Sequence, residues 1–200
     1  MRQAKTLLAA GALLLIVAAS GGGASAQTDA GAYVRDLAHK VLAIFDNPQV
    51  SRERKEQLLY PIAVNAFDVP RIARFALGRF WKDASPQQRD DFTKAFERYM
   101  VHFYAGVFDL YHDVDFQIVT VRPEETRTLV RSRIVQHNGR PPVAVDWWVT
   151  RSGDTYRIVD VNIEGASQLL ALREQFAAVI DQQGGSVAAL IAHLREKTER

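Results

Sequence analysis

The stretch Val161-Asn162-Ile163-Glu164-Gly165-Ala166-Ser167 decides the fold, because it joins a strand to a helix through a single glycine. Residues 155–163 before it have the two-residue period of a strand with one dry face. Residues 168–181 after it read as an apolar helix, with Ser167 as its N-cap. The stretch itself holds no nucleophile beside a base, no metal-ligand pair and no phosphate-binding loop.

Working back towards the N-terminus, three more strands are expected at residues 115–121, 127–136 and 143–150. Their turns are Pro123-Glu124-Glu125, His137-Asn138-Gly139-Arg140 and Ser152-Gly153-Asp154. Such short connections imply antiparallel neighbours. In the third strand Val143, Val145, Trp147 and Val149 share one face, while Ala144, Asp146, Trp148 and Thr150 share the other. In the second, Val130 and Ile134 oppose Arg131 and Arg133. One side of the sheet is therefore apolar and the other wet.

Helical periodicity governs the rest. Val34, Leu37, Val41, Ile44 and Phe45 form a stripe over residues 33–45. A second helix starts at Ser51, with Arg52, Glu53, Arg54, Lys55 and Glu56 as its solvated face, and Pro61 is expected to break or kink it. A third is capped by Asp68 and stopped by Gly78. Ser85-Pro86-Gln87-Gln88 carries the signals of a capping box and opens a long helix to about residue 111, whose stripe is Phe92, Phe96, Tyr99, Phe103, Val107 and Leu110. A last helix covers 186–197, after Gly184-Gly185. The expected fold is α+β: a curved four-stranded antiparallel sheet with N-terminal and C-terminal helices packed on one face. A cone of this kind can leave a cavity between sheet and helices.

Residues 1–26 read as a signal peptide. Arg2 and Lys5 precede an uncharged apolar run over 7–19, and Ala24-Ser25-Ala26 places cleavage before Gln27. The run is shorter than the roughly 20 residues that span a bilayer. Residues 27–200 are then expected to form one domain. Arg2 and Lys5 account for two of the 25 basic residues, leaving 23 against 23 acidic ones. That balance argues against a nucleic-acid binder that works by bulk charge. The chain has no cysteine, hence no disulfide and no lipidated N-terminal cysteine.

A search for chemistry returns little. His39, His102, His112, His137 and His193 form no metal-ligand spacing. Asp109, His112, Asp113 and Asp115 are the densest polar cluster and read as a helix end entering a strand. Gly165-Ala166-Ser167 lacks the second glycine of a nucleophile elbow. Asp160 on the fourth strand is the best candidate for a general base, which would suit a small isomerase-like cone. No catalytic residue, metal or cofactor is expected.

Two blocks of the chain resemble the MlaC family, periplasmic phospholipid-binding components of MCE-type ABC transport systems. The first is Leu77-Gly78-Arg79-Phe80-Trp81 with Ala84-Ser85-Pro86-Gln87-Gln88-Arg89, Phe92 and Phe96. The second runs from Tyr156 to Ser167, with Arg173, Phe176 and Gly184. Phe80 stands where the family usually has Tyr, and Ala166 where Ile is common. The resemblance implies a cystatin/NTF2-like sheet with added helices. It implies a monomeric soluble carrier that moves phospholipid between an outer-membrane lipoprotein complex and an inner-membrane MCE–ABC complex. A hopanoid-associated branch of the family fits the same motifs.

On that reading the wall of the lipid cavity would draw on Val130, Ile134, Val145, Trp147, Val149, Val161 and Ile163 from the strands. Phe75, Phe96, Tyr99, Phe103, Leu169 and Phe176 would join from the helices. Arg71, Arg74, Arg79 and Lys82 around the third helix, and Arg131 and Arg133 on the wet face, are candidates for docking the two membrane complexes. An enzyme acting through Asp160 and an adaptor that binds no ligand are the competing readings.

Overall fold

The computed structural model describes residues 22–109 and 111–199, with side chains from residue 29 onward. Leu110 and most of the expected signal peptide lie outside the described residues. Five helices come first: α1 Gly22–Phe45, α2 Arg52–Ala66, α3 Val69–Leu77, α4 Phe80–Asp83 and α5 Pro86–Phe108. Strands β1 Val114–Pro123, β2 Thr128–Gln136, β3 Val143–Ser152 and β4 Thr155–Ile163 follow, then β5 Ala166–Ser167, α6 Gln168–Gln182 and α7 Val187–Thr198. The sheet is an antiparallel meander in the order β1-β2-β3-β4-β5.

Five strands stand where four were expected. The difference is the two-residue β5, and its cause is the turn before it. Glu164 and Gly165 both have positive φ, at 49° and 82°. Two successive residues of that kind close a tight hairpin whose twist matches the sheet. Ala166 therefore pairs back onto Ile163, and Ser167 onto Asn162, before the helix starts. The Ser167 hydroxyl then accepts the Leu170 N–H at 3.1 Å and caps α6.

Four other features depart from the sequence pattern. Helix α1 begins at Gly22 rather than near residue 33. Ala30 on the added turns is fully buried in the core that seats α1 on the sheet, as is Val34 within the expected span. Helix α2 runs on through Pro61 to Ala66, so the proline removes one donor without ending it. Lys55, assigned to the solvated face, is only 7% exposed. Its ammonium donates to the Phe45 carbonyl at 3.2 Å and to Asp109 at 3.0 Å, tying together the ends of α1 and α5. The fourth is a bulge in β4. Trp148 pairs with Asp160 but Val149 with Ile158, which leaves Val159 unpaired. The bulge lets the consecutive residues Ile158 and Val159 both be buried.

Three apolar cores hold these elements. One joins α3, α5, α6 and α7, and is built around Phe92, Phe96 and Phe176. Phe176 meets both other rings edge-on at 5.9 and 6.0 Å. A second seats α1 on the sheet through Val34, Val130, Val149 and Ile158. The third joins α1, α2 and α5 through Phe45, Leu59 and Ala105. Half-buried side chains bridge the cores, Phe67 between the first and second and Leu37 between the second and third, and both also line the candidate site.

Candidate functional site

A slot runs between the sheet and the helices. Its cavity volume is about 210 Å³. Helix α1 contributes Leu37 and Val41, α2 contributes Ile62 and Ala63, and α3 contributes Val69 and Ile72. From α5 come Phe96, Met100 and Tyr104, a stripe at four-residue spacing on one face. The sheet closes the far side with Ile134, Val145, Trp147, Val161 and Ile163, and Leu169 and Leu172 of α6 complete it.

Polar groups on the sheet's apolar face are satisfied within the protein. The Ser132 hydroxyl, buried on β2, donates to the Val145 carbonyl at 2.8 Å and accepts the Trp147 indole N–H at 2.9 Å. Asp160 reaches the slot wall, and its carboxylate accepts three hydrogen bonds. They come from the Ser167 hydroxyl at 2.7 Å, the Val161 N–H at 2.8 Å and the Leu169 N–H at 3.2 Å. The side chain thus braces the first turn of α6 and carries no ion pair among the described residues. Tyr104 has its phenol pKa pushed up to about 12, first by burial and then by the Asp160 charge.

Among the expected wall residues, Phe96, Ile134, Val145, Trp147, Val161, Ile163 and Leu169 meet at the slot. Val130 and Val149 lie under α1 in the second core instead. Tyr99 and Phe176 are packed inside the first. Phe75 and Phe103 point outward, 37% and 47% exposed. Sequence reasoning did not assign the α1 and α2 wall or Met100 and Tyr104, although Leu37 and Val41 stood in a visible stripe. Their stripe had more apolar residues than one helix contact needs.

Arg71, Arg74, Arg79 and Lys82 are exposed around α3 and α4. Arg79 is held by Asp181 at 2.6 Å and lies over the Phe80 ring. On the wet face Arg131 pairs with Asp146 at 3.3 Å, and Arg133 donates to Gln117 at 2.8 Å. Arg173 escaped the sequence reading as a surface feature. Its guanidinium covers the Phe75 ring at 5.0 Å and packs against Gly78, where a Cβ would stand 3.0 Å from Nε. Three of the polar residues near the end of α5 are paired: Asp109 with Lys55 at 3.0 Å, and Asp113 and Asp115 with His137, both at 3.2 Å. Those two carboxylates raise the His137 pKa, chiefly through their hydrogen bonds.

A family model described as MlaC protein matches residues 35–196, most of the chain and every element from α1 to α7. The chain belongs to the MlaC family. Among solved structures it is similar to the phospholipid-binding protein from Ralstonia solanacearum, determined in complex with a phospholipid. The two share 29% sequence identity with a TM-score of 0.74, over 86% of this chain and 97% of that one.

Proposed function

We propose that this MlaC-family protein is a periplasmic carrier that holds the acyl chains of a phospholipid in its slot and leaves the headgroup at the mouth. The carrying observation is the apolar slot between sheet and helices, in a chain of this family. Burying a methylene is worth about 0.8 kcal/mol. A tail of about sixteen carbons left in water therefore costs on the order of 12 kcal/mol. A carrier lowers that cost by covering the tail with side chains such as Ile134, Val145 and Leu169, and needs no reactive group to do so. The phospholipid-bound relative supports the same ligand class.

An enzyme working through Asp160 is disfavoured by the three hydrogen bonds that its carboxylate accepts from β4 and α6. A general base needs a free lone pair aimed at the substrate. The reading includes cleavage of residues 1–26 on export and shuttling between outer-membrane and inner-membrane complexes. The exposed arginines Arg71, Arg74, Arg131 and Arg133 would steer those encounters. Reversing the charge of Arg131 and Arg133 should slow complex formation and weaken its salt dependence.

Native mass spectrometry of protein purified from cells tests the reading directly. A mass increment matching phospholipid is expected, and delipidated protein should take lipid up again from vesicles. A single lipid-free species that takes up nothing would sink the proposal.

A further inference from the structure

The slot wall carries a hydroxyl to which none of the described residues is hydrogen-bonded. Tyr104 sits on the α5 face that lines the slot, between Met100 and Phe108. Its ring is fixed by Phe103 at 5.3 Å and Phe108 at 6.3 Å. Among the described residues its hydroxyl makes no hydrogen bond. Several polar groups nearby are engaged: Trp147 with Ser132, Tyr33 with the Ala66 carbonyl, and Asp160 with Ser167 and Leu169. Buried polar groups in folded proteins are nearly always bonded. Tyr104 is half-buried, so in the empty slot its hydroxyl is open to solvent. A ligand that fills the slot dries it, and an acceptor on that ligand then restores the lost hydrogen bond.

The chemistry of that match is narrow. Burial and the neighbouring Asp160 charge push the phenol to about 12, so at neutral pH it keeps its proton and can donate. Asp160 lines the same slot. That carboxylate braces the first turn of α6, and Gln168 of the same turn lines the wall beside it. Here an otherwise apolar surface gains polar groups. In a diacyl lipid the ester carbonyls occupy the corresponding level, where the hydrocarbon tails meet the polar backbone.

We propose that the Tyr104 hydroxyl donates a hydrogen bond to an ester carbonyl of the bound lipid, and so selects acyl-ester lipids over lipids whose hydrocarbon carries no such acceptor. This rests on the lipid-carrier reading and narrows its substrate class. Polycyclic hydrocarbon lipids and ether-linked lipids fill the same apolar space but leave the donor unpaired or poorly paired, which is how a polar group in a pocket discriminates.

The test is a competition. Full-length processed protein is equilibrated with vesicles holding equal amounts of a diester and a dialkyl-ether phospholipid of identical headgroup and tail length, and the bound species are counted by native mass spectrometry. The wild type should favour the diester about fivefold, the ratio that one net neutral hydrogen bond gives. Tyr104→Phe should bring the ratio close to one by losing diester uptake. A wild type that loads both lipids equally overturns the proposal, and needs no variant to fold. A preference that survives in Tyr104→Phe overturns it too, as does one that disappears only in Tyr111→Phe, the other wall phenol. A wild type that loads neither lipid removes the carrier reading itself, and the two failures are thereby distinct.

Discussion

Gly78 and Tyr104 show how much a single position decides in this molecule. Gly78 closes α3 with φ 59° and ψ −128°, a backbone conformation that only glycine adopts without strain. Its missing Cβ also makes room for Arg173. Gly78→Ala should therefore destabilise the protein by about 1–3 kcal/mol, seen as a lower urea midpoint. Adding Arg173→Ala should restore only the packing part, since the backbone strain remains. Full rescue would show that the clash alone mattered. Tyr104 makes a prediction about pH. Its folded pKa of about 12 lies above the 10.0 of a free phenol, so the folded state holds this proton more tightly. The resulting stability is fully present below pH 10 and is lost as pH rises through about 12. Its size is roughly 2–3 kcal/mol. Alkaline unfolding followed by circular dichroism should show this loss in the wild type, and Tyr104→Phe should lack it.

At the scale of elements, the hinge from β4 into α6 illustrates what a sequence displays and what it hides. Strand alternation, the glycine turn and the Ser167 cap were legible because each is a local preference of two to four residues. The bulge at Val159 was not, because Ile158-Val159 fits an alternating pattern read from either residue, and only pairing with β3 shows which register holds. Lysine in the buried face of α2 misled for the same reason. It obeys a local rule that tertiary packing overrode, through the Phe45 carbonyl and Asp109. Ser167 is the element's most economical test. Its hydroxyl both caps α6 and donates to Asp160, so Ser167→Ala should cost about 1–2 kcal/mol by urea denaturation. Ser167→Thr should recover most of it, because the hydroxyl returns. An unchanged midpoint in the alanine variant would mean that the cap contributes nothing.

In the whole molecule, the slot exists because helices of one composition serve two purposes. Met100 and Tyr104 face the slot, Phe92 and Tyr99 on the same helix α5 enter the first core, Phe96 does both, and Phe103 points to solvent. Sequence periodicity finds the helix but not the phase at which its apolar face divides between packed and unpacked neighbours. That division depends on where α1 and α2 lie, which is why Val130 and Val149 sit under α1 rather than along the slot. Paired substitutions separate the two roles. Phe176 stands where three aromatic rings of the first core converge, and Phe176→Ala should cost about 3–5 kcal/mol. Ile134 faces the slot from β2. Ile134→Trp sends its added ring into empty space, so the overpacking penalty of about 1–3 kcal/mol that a filled core exacts should not arise. The tryptophan variant should therefore keep the wild-type urea midpoint after delipidation, yet carry less lipid by native mass spectrometry. Phe176→Ala should lose its midpoint first. If Ile134→Trp carried as much lipid as the wild type, the ligand would have to lie elsewhere than between sheet and helices.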